Sequence, residues 1–151
     1  MSISIPAIDL TSEVFAIGKA ADGTLRAPEP GPDLNKVAWF EDSATPGQLG
    51  PVVLEGHVDT VEGRSVFFDL GRVRPGDEVT LKRKDGRTLS YTVDAVRSYP
   101  KSRFPTEAVY GGDISQSTLR LITCSDFDRR TRHHQGNLVV FGHLRTTAAG
   151  S

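Results

Sequence analysis

Apolar residues recur along this chain in short runs, many alternating with polar ones, and glycine, proline and charged residues separate the runs. Alternation is the mark of a half-buried strand, because successive side chains leave a strand on opposite faces. The clearest case is a hairpin formed by Glu78 to Lys82, an Asp85-Gly86 turn, and Leu89 to Val96. Within it Val79, Leu81, Tyr91, Val93 and Ala95 share one parity and should face one core. Leu119 to Cys124 and Leu138 to His143 read as the last two strands, and Val37 to Phe40 as a short buried one. Pro51 to His57 is a β-branched run stopped by Gly56, which leaves His57 at a strand end. Ile3 to Ile8 alternates around Pro6 and reads as an edge strand or extended lead-in, while Val14 to Ala20 fits a strand or one helical turn.

The segments between these runs carry turn and loop chemistry. Ala21 to Thr24 and Arg74 to Asp77 read as turns, and Glu41 to Pro51 as a loop. Ala27 to Asp33 holds Pro28, Pro30 and Pro32, which rule out a helix and leave a surface loop. Val66 to Leu70 suits a short helix or 3₁₀ turn, and Tyr99 to Tyr110 a loop with one helical turn. The count is about eight short strands at roughly 8–15-residue spacing with no long helix, which predicts an all-β barrel or sandwich. Residues 1–145 form one domain on this reading, and Thr146 to Ser151 a small, polar, disordered or appended tail.

Composition narrows the function. The 151 residues suffice for a core without staples, and a net charge of −1 gives no global field to recruit nucleic acid. No apolar run approaches the ~20 residues that cross a bilayer, and the opening Met-Ser-Ile-Ser-Ile-Pro lacks the basic and apolar regions of a signal peptide. A single cysteine excludes an internal disulfide framework and a cysteine-rich zinc site. Glycine-rich phosphate motifs and GxSxG are absent. His57 with Asp59, or the adjacent His133 and His134, are the only hints of a metal site. Neighbours on a strand point to opposite faces, so the expectation is no metal and no cofactor.

The chemistry-bearing residue is that cysteine. Cys124 ends an apolar strand and precedes the polar run Ser125 to Asn137, which contains Arg129, Arg130 and Arg132. Nearby arginines lower a thiol pKa or bind an oxyanion. A lone cysteine is more often an inert small hydrophobe, and a lone histidine a structural one. His57 and Cys124 both fall where a strand yields to a loop, however, and thiolate chemistry needs such a pair with an electropositive group. Neither residue has an evident core role, so replacing either with alanine should leave stability nearly unchanged.

At these residues the sequence resembles a known family. Leu119-Arg120-Leu121-Ile122-Thr123-Cys124 is similar to the TLxTC strand of the sortases, the cysteine transpeptidases of Gram-positive cell surfaces, and Gly56-His57 to their histidine segment. Further stretches resemble the actinobacterial class F sortases: Pro46-Gly47 through Gly56-His57-Val58-Asp59, Val66-Phe67-Phe68, Pro75-Gly76-Asp77, Lys101 to Pro105, Val109-Tyr110-Gly111, and Phe127-Asp128 ahead of Asn137 to Val140. The likeness runs in unbroken order from about Ile5 to Leu144.

The resemblance implies an eight-stranded sortase-type β-barrel and a reaction. Cys124 would attack the Thr–Gly bond of an LPxTG-type sorting signal on a surface protein, and an amine of the peptidoglycan precursor, or water, would resolve the thioacyl-enzyme. His57 would serve as general acid and then general base. It also implies an ectodomain at the extracellular face of the membrane, held by an anchor outside this chain. An arginine would hold the oxyanion or the substrate backbone. By spacing from the final strand, the family's arginine position falls on Asn137, so Arg130 is assigned that role, with Arg132 and Asn137 as substrate contacts. Ser125-Asp126 departs from the glycine pair usual in class F, and an aspartate so close should raise the thiol pKa. Two rivals follow: a sortase-like barrel with weakened catalysis that binds peptides, and an unrelated β-barrel module with a structural cysteine.

Overall fold

The computed structural model describes residues 1–18, 27–60, 62–99, 115–124 and 137–145, with Cys124 described by its backbone alone. Its strands are β1 (Ser2–Ile5), β2 (Leu10–Ile17), β3 (Val37–Phe40), β4 (Gly50–His57), β5 (Asp59–Thr60), β6 (Gly63–Arg64), β7 (Glu78–Lys82), β8 (Thr88–Tyr99), β9 (Ser117–Cys124) and β10 (Asn137–Leu144). Eight of them close a barrel in the order β1-β2-β3-β4-β9-β10-β8-β7, while β5 and β6 form a separate two-stranded ribbon. Two neighbouring pairs, β2–β3 and β4–β9, run parallel, and the others antiparallel. The expected eight-stranded all-β barrel is therefore the observed architecture.

Alternation fills the barrel. Ile3, Ile5, Val37, Val52, Leu54, Val79, Leu81, Tyr91, Val93, Leu119, Leu121 and Val140 all pack into one interior cluster. Burying each large aliphatic side chain contributes about 1.5–3 kcal/mol against the entropy of ordering the chain. Part of the opposite parity of β4, β9 and β10 is apolar too. Val53, Ile122 and Val139 pack with Phe40 into a second cluster on the outer face, flanked by Tyr99 and Phe141. This outer apolar patch explains why Val52 to Leu54, Leu121 to Ile122 and Leu138 to Phe141 read as near-continuous hydrophobic runs.

Three details differ from the sequence reading. The first strand stops at Ile5, and Pro6–Ile8 wraps into a 3₁₀ turn rather than extending the strand. Proline's fixed φ and missing N–H suit the first position of such a turn. The ambiguous second run is a strand, Leu10–Ile17, pairing parallel to β3. Ala95 does not share the core parity, because the β8–β10 register slips between Phe141 and Gly142. Ala95 lies opposite Phe141 on the outer face, and Val96, opposite Val140, joins the interior cluster instead. The two-residue strands β5 and β6 carried no legible pattern. The turn at 21–24, the loop at 100–110 and the tail from 146 lie outside the described residues.

Candidate active site

The parallel β4–β9 ladder builds the site. Its register runs from Gly50 opposite Ser117 to His57 opposite Cys124, so the two strand ends finish level. Paired residues of a parallel ladder share a face, and neighbouring strands lie about 4.8 Å apart. Positions 57 and 124 are thus side by side on the outer face, above the row formed by Glu55 and Ile122. The antiparallel register of β10 against β9 extends this top row to Asn137, and β8 adds Tyr99 opposite Asn137. One row of the sheet therefore reads His57, Cys124, Asn137, Tyr99.

His57 is held from three sides. The residue is 5% exposed. Its main-chain carbonyl accepts a hydrogen bond from the Phe67 N–H at 2.9 Å, which fixes the strand end. Phe67 is buried against Gly56, where a Cβ would lie 2.8 Å from Val66 Cγ1 and 3.0 Å from Phe67 Cδ2. The glycine before the histidine is thus a packing requirement, and it links Gly56-His57 to Val66-Phe67 physically. On the third side, His57 Nε2 lies 2.8 Å from the carbonyl oxygen of Pro28. This burial argues against the expectation that His57→Ala would leave stability nearly unchanged.

Asn137 is anchored as well as adjacent. Its Nδ2 donates to the carbonyl of Thr123 at 2.5 Å, and Thr123 Oγ1 accepts the Leu138 N–H at 2.8 Å. The side chains of Thr123 and Asn137 thereby close the β9–β10 ladder at the residue preceding Cys124. Asp59 is exposed and pairs with Arg64 in the ribbon. Arg129, Arg130 and Arg132, together with Ser125, Asp126, His133 and His134, lie outside the described residues. Among the described residues, no group of three His, Cys, Asp or Glu side chains is placed to hold a metal ion.

Sequence reasoning did not single out Pro28, Glu55, Arg97 or Arg120 for this face. Arg120 lies over the Phe141 ring at 4.8 Å and donates to the Leu119 carbonyl at 2.9 Å. Burial pulls its pKa below the usual arginine value, with the Asp94 carboxylate opposing the shift. Four residues of strand, about 13 Å, separate it from Cys124. Arg97 is exposed opposite Val139. Glu55 is 2% exposed on the same outer face as His57. Its signal was present in the sequence, as a carboxylate on the outward parity of an otherwise apolar strand.

The chain matches the Sortase domain family over residues 3–145, and it belongs to the sortase family. The sortase family and fold are those of cysteine transpeptidases. Among solved structures the chain is similar to sortase A from Corynebacterium diphtheriae, with 24% identity and a TM-score of 0.73 over 99% of this chain and 62% of that one. Sortase C1 from Streptococcus agalactiae is similar at 21% identity and a TM-score of 0.71, over 97% and 67%. A sortase D5 transpeptidase from Clostridium perfringens follows at 20% and 0.68, over 95% and 77%. Identities this low speak for the fold. The chain spans less than two thirds of the Corynebacterium enzyme's length. No curated protein sequence matches it.

Proposed function

We propose that the chain is the catalytic domain of a class F-like sortase, a cysteine transpeptidase acting on LPxTG-type sorting signals of surface proteins. The observation that supports this most is the ladder register that sets His57 level with Cys124. In the proposed reaction the Cys124 thiolate attacks the threonine carbonyl carbon. The S–C bond forms, the C–N bond to glycine breaks, and imidazolium His57 gives its proton to the leaving amine. An amine of the peptidoglycan precursor, or water, then attacks the thioester and loses a proton to His57. The thiolate leaves. Arg130 is assigned to the oxyanion and Arg132 to the substrate backbone, with the remaining amide N–H of Asn137 as a further donor. No metal or cofactor takes part. On this reading the protein works at the outer face of the cell membrane.

Mass spectrometry of the folded protein with an LPxTG peptide and a glycine-based or diaminopimelate-type amine tests the reading. Cleavage between Thr and Gly, with an acyl adduct or amide product lost in Cys124→Ala, is the expected result. No cleavage, and a thiol no more reactive than free cysteine, would overturn it. One observation favours a second reading, a peptide-binding barrel with weak catalysis: the neutral Asn137 stands level with Cys124 and already donates to Thr123. That reading expects peptide affinity that survives Cys124→Ala without turnover.

A further inference from the structure

The 2.8 Å contact between His57 Nε2 and the Pro28 carbonyl specifies more than a buried ring. A carbonyl oxygen only accepts, so Nε2 must carry the proton, and a neutral ring then has none on Nδ1. Pro28 is itself buried, and the segment that presents it is tied to the β5–β6 ribbon and to β2. Asn35 is the tie. Its Oδ1 accepts from Ser65 Oγ at 2.7 Å and Thr60 Oγ1 at 3.4 Å, and its Nδ2 donates to Glu62 Oε1 at 2.7 Å. All three partners belong to the ribbon and turn that follow His57. Leu34, 6% exposed, anchors the same segment apolarly, and Lys36 pairs with Glu13 on β2 at 3.1 Å.

We infer that Pro28 is a positioning residue for His57, and that Nδ1 is the nitrogen through which the proton moves. Nε2 keeps its proton and its bond to Pro28 in both charge states of the ring. Nδ1 gains a proton when the thiolate–imidazolium pair forms and gives it to the leaving amine. The ring therefore swings neither on protonation nor on release, which leaves its orientation set before substrate arrives. Asn35, which touches neither position 57 nor position 124 in sequence or register, supports the arrangement at one remove. The proton route rests on the sortase reading, whereas the tautomer does not.

The test is ¹⁵N spectroscopy of histidine-labelled protein at a pH where the ring is neutral, with His57 assigned among the four histidines by its loss in His57→Ala. A protonated Nε2 and an unprotonated Nδ1 are expected. In Asn35→Ala the two shifts should move toward the averaged values of a free histidine, and kcat should fall roughly tenfold with KM unchanged. An Nδ1–H tautomer in the unmodified protein overturns the inference. So does an Asn35→Ala protein that loses activity with its tautomer intact, since that marks a merely structural role. A protein with the expected tautomer but no peptide cleavage would keep the positioning by Pro28 and remove the proton route, separating the two readings.

Discussion

The two ends of the β4–β9 ladder hold buried polar groups for opposite purposes. At the Gly50–Ser117 end, the Tyr91 hydroxyl lies 2.9 Å from Ser117 Oγ and accepts the Gly47 N–H at 2.9 Å, and Tyr91 is fully buried. Every member of that knot is neutral, and its partners come from the barrel's own strands and the loop before β4. At the His57–Cys124 end, the polar residues are a titratable ring and a thiol position, steadied by a loop carbonyl and a cross-strand amide. The same eight-residue ladder ends in a knot of neutral groups on one side and in a titratable ring beside a thiol position on the other. A polar group whose hydrogen bonds all close inside the fold adds rigidity, and one left at a strand end beside a loop adds chemistry.

Substitutions at each end should separate those purposes. The largest effect belongs to the open end. Cys124→Ala is expected to lower peptide turnover by about 10³-fold or more, and His57→Ala by about 10²–10⁴-fold, both measured by product formation. His57→Ala should also destabilise by about 1–3 kcal/mol in denaturant unfolding, because it leaves the buried Pro28 carbonyl without its donor. Gly56→Ala bridges the comparison. Displacing Phe67 should cost about 1–3 kcal/mol, and activity should fall with it, since Phe67 fixes the His57 carbonyl. At the closed end, Tyr91→Phe should cost about 1–3 kcal/mol by leaving the Gly47 N–H unmatched, while the folded protein keeps its turnover. An activity loss there as large as in His57→Ala would erase the distinction.

The smallest effect is one of pH. Burial raises the Tyr91 pKa above the usual tyrosine value, with the bonds to Ser117 and Gly47 opposing the shift. The folded state therefore holds the phenolic proton more tightly than the unfolded chain. That contribution is fully present below about pH 10, the unfolded value, and is lost as pH rises toward the folded pKa. Unfolding experiments across this range should show stability falling with pH, and Tyr91→Phe should remove part of the slope.

Much of this was legible in the sequence, because period-two patterning and strand-end placement are local properties. The β7–β8 hairpin, the Val37–Phe40 strand and the positions of His57 and Cys124 at strand ends all followed from residue order. What escaped reading depended on pairing. The bulge beside Gly142 moved Ala95 off the core face, and the close approach of that glycine to the Thr92 carbonyl, 2.8 Å from where a Cβ would stand, gives no local signal. The Pro28 carbonyl was invisible for a stronger reason. A main-chain acceptor is common to every residue, so sequence can mark a proline-rich loop without saying which oxygen meets a ring. The level placement of positions 57 and 124 is likewise a fact of register.

That register also has a history in time. The chain passes through β5 to β8 before β9 can lie beside β4, so this pairing closes one of the longest loops in the molecule and belongs with its slow, non-local contacts. A nascent or partly refolded chain can hold its local hairpin and still have its histidine and cysteine on unconnected segments. On the proposed reaction, competence to transfer an acyl group would then arrive only with closure of the barrel, and a half-built molecule would carry a harmless thiol.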